Sequence, residues 1–348
     1  MEATKYIAKA IQRASLKINY TSEDDLCKLI FSPSVIEAEE VVFGENITIG
    51  CGVHIKAKRL YIGSNTTIYS NNIIIADSFN LGSECIVQNN SVIKGTTISI
   101  GDRTRILHDA EIGGGSCLDP WSELVVGNDC YIGSYTHINI ARKVSIGDEV
   151  GIGRGTCIFT HAAYLSSLDG FPVKFAPVQI GNRVWIPGAT INPGVVIGDN
   201  CVIGVGSVVT KNIPEGSFAA GTPATVRKYR QFPANLDIDS KVEIIAKIVE
   251  IALQRYGLPY SVDLDRISGI CFEAGEYCIS VYRTFEDGSL KPEKKNIIIV
   301  LEEVVIEKLD RKLTIINLFD KIISGFQDEF IEKLRQQFRR NGVRLLYE

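Results

Sequence analysis

An aliphatic residue returns every six positions along much of this chain, and that period leaves few folds open. From Ile180 the sequence reads IGNRVW, IPGAT, INPGVV, IGDNCV, IGVGSV and VTKNIP, with starts at Ile180, Ile186, Ile191, Ile197, Ile203 and Val209. One of these steps is five residues rather than six. The same beat runs back through Ile152, Ile146, Ile132, Val126, Ile112, Ile100, Leu81 and Ile62 to about Ile49. A fixed internal period marks a repeat architecture. An aliphatic residue followed by Gly and then small polar residues predicts a triangular parallel β-solenoid. Each hexad is one short face, three hexads make a coil, and the aliphatic side chain points inward. Each coil buries its apolar edge only against the coils on either side, so many coils are needed.

The period divides the chain. Residues 1–40 read as an N-terminal helical segment, with Ile7 and Ile11 on one side. That stretch lacks the unbroken apolar core and small-residue cleavage site of a secretory signal. Residues 41–230 carry the repeat. Residues 231–348 lose it and read as a small α+β domain. There Ser240 is placed to cap a helix bearing Val242, Ile245, Ile248 and Ile251, and Gly257 ends it. Strand-like runs follow, with a turn at 286–288. No catalytic motif is visible in that domain.

Composition narrows the function. The formal net charge is −4 with 22% charged residues, so no general affinity for nucleic acid or acidic membranes is expected. No apolar run reaches transmembrane length. Nine cysteines form no C-x-x-C pair. Cys85, Cys130 and Cys201 fall at the fifth place of a hexad, where a small inward residue belongs. They read as core fillers of a reducing, cytoplasmic compartment.

The beat is broken once. Ile158 starts a face, Phe159, Thr160 and His161 follow, and the next regular hexad opens at Ile180. The intervening HAAYLSSLDGFPVKFAPVQ is too apolar for a disordered spacer. It is expected to leave the solenoid as an ordered loop and pack on a neighbour. Long loops on a rigid scaffold are where function concentrates.

The string V-W-I, N-P-G-V-V-I-G-D-N, G-S-V-V-T-K-N-I-P and A-G-T-P-A, at 184–224, resembles the closing coils of the hexapeptide-repeat acyltransferases. The likeness is nearest to the galactoside, maltose and nodulation-factor O-acetyltransferases and the xenobiotic acetyltransferases. It covers about residues 144–228 closely, and the looser repeat back to about 41. It implies a left-handed parallel β-helix, an acyl-CoA co-substrate such as acetyl-CoA with no metal, and a homotrimer with sites between neighbouring solenoids. In that family a loop histidine before the V-W-I coil is the general base, and His161 stands in the matching place. An imidazole titrates near neutrality and can take a hydroxyl proton as the new C–O bond forms. The family's oxyanion donor is a backbone N–H after V-W-I, for which Gly188 is the nearest match. Pro187 stands where the family has Gly and has no N–H to offer. Coenzyme A contacts carry over to Gly188, Val205, Gly206, Thr210, Lys211, Arg227 and Lys228, with Arg230 beside them.

The remaining candidates have bland readings beside the functional ones. His54 and His108 read as surface residues. His137 and Asn139 lie about one coil before His161, where either can orient the imidazole or the acceptor. Trp185 reads either as corner packing or as an aromatic wall of the site, and Gly204, Gly206 and Gly221 serve corners or a ligand's close approach. The resulting expectation is acetyl transfer to a hydroxyl of a sugar or sugar-containing metabolite. An N-acyltransferase acting on an amino (nucleotide) sugar and a non-catalytic β-helix scaffold are the alternatives. A solenoid carbonic anhydrase would need three histidines on one zinc, usually with an H-x4-H pair, and the sequence has no such pair.

Overall fold

The computed structural model describes residues 17–18, 34–229, 231–265, 269–282, 290–291, 293–301 and 312–347. The chain forms two compact units, Met1–Ala234 and Asn235–Glu348.

The first unit is the parallel β-solenoid that the period predicts, a left-handed β-helix as the family resemblance implies. Each coil runs through three faces. The strands Val35–Phe43, His54–Ile62, Ile73–Leu81 and Val92–Ile100 each cover the first face, bend, and continue along the second. Later coils split this strand. Glu111–Gly113, His137–Asn139, Cys157–Ile158, Ala189–Ile191 and Ser207–Val209 continue the first face. Glu123–Val126, Val144–Ile146, Val178–Ile180 and Val196–Ile197 continue the second. Together these lie in a 14-stranded sheet, and the third face forms a 10-stranded one.

Like side chains stack on like down every face. On the third face Ile49, Ile68, Val87, Ile106, Ile132, Ile152 and Ile186 follow one another in register. All are at most 2% exposed. Rungs of a parallel sheet are ~4.8 Å apart, so each methyl group meets its equivalent one coil on. The corner before the third face is filled by small side chains that bond to the next coil. Thr66 and Thr104 donate to the carbonyls of Gly82 and Gly127 at 2.9 and 3.0 Å. Cys85 and Cys130 do the same through sulfur to Gly101 and Gly147 at 3.2 and 3.1 Å. Burial pushes the Cys85 thiol up to about 11, as suits an inert filler.

Several expectations are corrected here. The early coils repeat every nineteen residues, as in His54↔Ile73 and Ile73↔Val92, rather than every three hexads. The extra residue sits at the bend between the first two faces, where Glu39, Lys58, Asp77 and Thr96 are skipped by the ladder. The strand Val35–Phe43 brings the solenoid forward into the stretch assigned to an N-terminal helix. Ile7 and Ile11 lie outside the described residues. The repeat is also interrupted twice, not once. Residues 114–122 leave the first coil face before the segment after Phe159 does.

In the second unit, helix α1 (Ile238–Arg255) and helix α2 (Glu329–Arg340) cover one face of a seven-stranded mixed sheet. Val242, Ile245, Ile248 and Val249 of α1 share a core with Phe272, Ile279, Ile297, Leu334 and Phe338. Asp237, not Ser240, caps α1, its carboxylate accepting from the Ser240 N–H at 2.7 Å. A carboxylate there also complements the helix dipole. The turn expected at 286–288 lies outside the described residues. No helix among the described residues is long and apolar enough to cross a membrane.

The stacked ladder should be intolerant of gaps. Ile132→Ala, at a wholly buried rung, should cost about 2–5 kcal/mol. Both tryptophans, Trp121 and Trp185, lie in the solenoid. Urea unfolding followed by tryptophan fluorescence will therefore report the loss for this unit alone. An unchanged midpoint would show that the ladder does not carry the stability assigned to it.

Candidate active site

The two excursions return to the same place. His161 begins the second one, in a two-residue strand that pairs antiparallel with Lys174–Phe175, so that His161 faces Phe175. The Thr160 carbonyl accepts from the Ala176 N–H at 2.9 Å and closes the neck of the loop. The first excursion follows Gly113 and opens with Gly114–Gly115, which lie against His137, Asn139 and His161. A Cβ on Gly114 would stand 3.0 Å from Asn139 Nδ2, and one on Gly115 would stand 3.8 Å from His161 Nε2. Gly114 has φ +83°, so this bare backbone is required by conformation as well as by space.

Asn139 organises the site. It is 1% exposed and sits at the end of a first-face strand. One end of its carboxamide reaches the carbonyls of Gly113 and Gly115 at 3.1 and 3.2 Å. Carbonyls only accept, so that end is the NH2. The other end faces the Ala141 N–H at 3.3 Å, which only donates, so that end is the oxygen. The same oxygen lies 2.8 Å from His161 Nδ1. Nδ1 therefore carries the proton, and Nε2 presents its lone pair beside Gly115. Thr160 supports this by donating to Asn139 Oδ1 at 2.8 Å while accepting from the Arg142 N–H at 3.0 Å.

Three planar groups in succession wall the imidazole. His161 lies parallel to Phe175, with ring centroids 5.7 Å apart and 19° between planes. The Arg142 guanidinium lies over both the Phe175 ring, at 4.7 Å, and the Trp121 ring, at 4.8 Å. Trp121 belongs to the first excursion and Phe175 to the second, so Arg142 joins the two loops through cation–π contacts. His137 takes a different part. Its Nδ1 lies 3.3 Å from Glu111 Oε2, and its ring packs on Phe159 at 5.6 Å. The role of orienting His161 falls to Asn139.

The other expected site residues divide between two edges of the first face. Thr210 and Lys211 are exposed just past Ser207–Val209, on the edge from which His161 departs. Gly188, Val205 and Gly206 occupy the opposite edge, where Val205 is 79% exposed and the Gly206 N–H donates to the Gly188 carbonyl at 2.7 Å. Register sets Gly188 over Gly155, six residues before His161. At ~3.3 Å per residue the six residues from Gly155 to His161 span at most about 20 Å, the width of one face. Arg227 and Lys228 are exposed on the terminal strand of the third face, and Arg230 lies outside the described residues. Trp185 also lies on the third face, its ring seated on Gly151, where a Cβ would approach to 2.4 Å. It is not part of the wall around His161. His54 is exposed and His108 half-buried on other coils. Among the described residues no cluster of three His, Cys, Asp or Glu side chains is arranged to hold a metal ion.

Gly114, Gly115, Trp121, Arg142 and Phe175 were not singled out by the sequence reading. A signal existed for the first excursion. Ile112 to Val126 is a step of fourteen, which is no multiple of six, where the matching Ile93 to Ile100 of the coil before is seven, and GGGSC and Pro120 fill it.

Residues 177–211 match the family described as Bacterial transferase hexapeptide (six repeats). The chain is similar to the galactoside O-acetyltransferase of Escherichia coli (strain K12), at 35% identity over 128 residues, covering 34% of this chain and 62% of that protein. The chain thus spans less than two thirds of that relative's length. A galactoside acetyltransferase solved in complex with coenzyme A overlaps 42% of this chain and 65% of its own, at 28% identity and a TM-score of 0.28. The UDP-N-acetylglucosamine acyltransferase from Campylobacter jejuni overlaps 63% and 83%, at 17% identity and a TM-score of 0.43. The chain thus carries the hexapeptide repeat and resembles acetyltransferases built on it.

The hydrogen bond from Asn139 has a direct spectroscopic consequence. In its neutral form, 15N-labelled His161 should show the Nδ1-protonated tautomer, and Asn139→Ala should shift it toward a mixture. Asn139→Ala should also cost roughly 1–3 kcal/mol, because two carbonyls and Nδ1 lose their partner. An Nε2-protonated imidazole in the native protein would contradict the assignment.

Proposed function

We propose that this protein is an acyl-CoA-dependent acyltransferase that moves an acetyl group to a hydroxyl of a sugar or sugar-containing metabolite. The observation that carries the reading is the His161–Asn139 pair, which leaves Nε2 open beside a bare Gly114–Gly115 backbone. Nε2 takes the acceptor's hydroxyl proton while the oxygen attacks the thioester carbonyl. The C–O bond forms, the tetrahedral intermediate collapses, the C–S bond breaks, and the imidazolium returns its proton to the thiolate. An acceptor amine would follow the same course and give an N-acyl product. The hydroxyl is preferred on the likeness to a sugar O-acetyltransferase.

The division of candidates between two edges supports an assembly. One edge of the first face carries His161 and Lys211, and the other carries Gly188, Val205 and Gly206. Neither edge alone holds a base and an oxyanion donor. A homotrimer that sets one edge against the opposite edge of the next copy brings the two sets together. Coenzyme A then lies in the cleft between copies, with its phosphates near Lys211, Arg227 and Lys228. The second excursion fits this placement. It starts at the His161 edge and exposes Tyr164 at 99%, Leu168 at 96% and Phe171 at 46%, which is apolar surface suited to a neighbour.

Complementation tests the reading. His161→Ala should lower kcat by on the order of 10²–10⁴, and Gly188→Val should also inactivate, while each variant still trimerises. Co-refolding the two in equal amounts should restore about a quarter of wild-type activity, because a random trimer pairs an intact base edge with an intact donor edge at that frequency. Acetyl-CoA should raise the melting temperature of the native protein by linkage. No restored activity would overturn the shared site. No thermal shift at millimolar acetyl-CoA would overturn the co-substrate.

A further inference from the structure

On the edge between the third and first faces, the early coils carry side chains that neither the solenoid core nor the His161 site uses. Tyr69, Gln88, Asn89, Asn90 and His108 line an open cavity of about 530 Å³. Tyr135 and Arg154 extend it toward Gly188 on the same edge. The His108 and Tyr135 rings meet edge-on at 5.4 Å, and the Arg154 guanidinium covers Tyr135 at 4.7 Å. Tyr69 and Tyr135 are 48% and 50% exposed and stand at the two ends of the strip. They follow third-face strands three rungs apart, so ~14 Å separates them along the solenoid.

The amides are fixed with their donors to spare. Gln88 Oε1 accepts from the His108 N–H at 3.3 Å, and Asn89 Oδ1 accepts from the Ser70 N–H at 3.0 Å. Each oxygen is thereby assigned, since a backbone N–H only donates. The NH2 groups of Gln88 and Asn89 donate to no protein atom among the described residues. His108 Nδ1 is held by Asp109 at 2.7 Å, which leaves Nε2 on the opposite side of the ring.

Tyr135 is also in a costly conformation. The corresponding corner residues of the preceding coils are Asn71, Asn90 and Asp109, with φ of +60°, +63° and +58°. Tyr135 holds the same left-handed turn at φ +58°. Asn and Asp tolerate that region, and a bulky aromatic residue does not. Among the described residues the ring packs on His108 and Arg154 and is otherwise open, so a strained side chain here leaves surface for a ligand.

We propose that this edge is a binding strip for an extended oligosaccharide. Tyr69 and the open part of Tyr135 offer ring surface to the C–H faces of sugar rings, Gln88, Asn89 and Arg154 offer donors to hydroxyls and carbonyls, and His108 Nε2 offers an acceptor to a hydroxyl. The strip lies on the edge of Gly188, so in the proposed trimer it continues the reaction cleft and holds the part of a glycan acceptor that does not react. That link to turnover rests on the proposed acyl transfer. The binding itself does not.

The test is calorimetric titration with the tetramers and monomers of maltose-, cellulose- and N-acetylglucosamine-type series. At least one tetramer should bind the native protein roughly tenfold or more tighter than its monomer, because only the tetramer reaches both tyrosines. Tyr135→Asn is the informative variant. It installs the residue that suits the turn, so it should melt at or above the native temperature while weakening tetramer binding about fivefold or more. Tyr69→Ala should weaken it similarly, and His161→Ala should leave it unchanged. If no tetramer binds at millimolar concentration, or binding ignores both tyrosines, the strip is wrong, whatever the outcome for acyl transfer. If binding behaves as described but no acetyl is transferred, the strip stands and the transferase reading falls.

Discussion

The structure depends on one repeated contact, an inward aliphatic side chain resting on its equivalent one coil away. Ile49, Ile68, Val87, Ile106, Ile132, Ile152 and Ile186 show it in unbroken register. The contact is weak singly and strong in sum. It also imposes a strict geometric rule, because a coil that fails to return to register forfeits the contacts on both sides. Extra residues are therefore admitted only at corners, as with Lys58 and Asp77, whose side chains bond each other at 2.9 Å outside the ladder. Larger insertions must leave and re-enter at one point.

That rule builds the candidate site. Both excursions leave the first face of nearby coils, the rung that carries Asn139 lies between their necks, and Thr160 closes the second neck. The solenoid is rigid, so Asn139 can hold Gly113, Gly115 and His161 at once. A flexible scaffold would spend binding energy ordering such a group, whereas here it is set before any ligand arrives. Arg142 joins the loops from the outside through Trp121 and Phe175. The imidazole is thus fixed in tautomer by one neighbour and in orientation by several.

The same rigidity keeps the two edges of a face apart. Nothing in a stiff triangular coil can bend Gly188 toward His161, so a site needing both groups must draw on a second copy. Face length and register thus give a physical reason why the proposed acyltransferase would work as an oligomer. Rigidity also makes each edge an extended surface, available along its whole length to long ligands.

Much of the solenoid was legible in the sequence because its signal is local and repeated. The inward Ile and Val positions, the buried Cys85, Cys130 and Cys201, and the long loop after His161 all follow from a six-residue beat. The nineteen-residue coil was not legible, since one extra residue per turn falls at a corner where any polar side chain is tolerated. The first excursion was nearly so, its mark being seven extra residues between Ile112 and Val126 that break the beat. The cap on α1 was misread because Asp237 and Ser240 both suit that role, and only backbone geometry chooses between them. For the site, sequence singled out His161 and offered His137 and Asn139 as equal supports. The fold sets Asn139 in hydrogen-bond contact with His161, which sequence could not show because its bonds to Gly113 and Gly115 reach residues more than twenty positions away. The wall of Phe175, Arg142 and Trp121 belongs wholly to tertiary structure. Sequence alone determined the repeat, since each rung needs the same residue at the same interval. What sits beside what across different coils was decided only by how many residues each excursion spends before the chain returns to register.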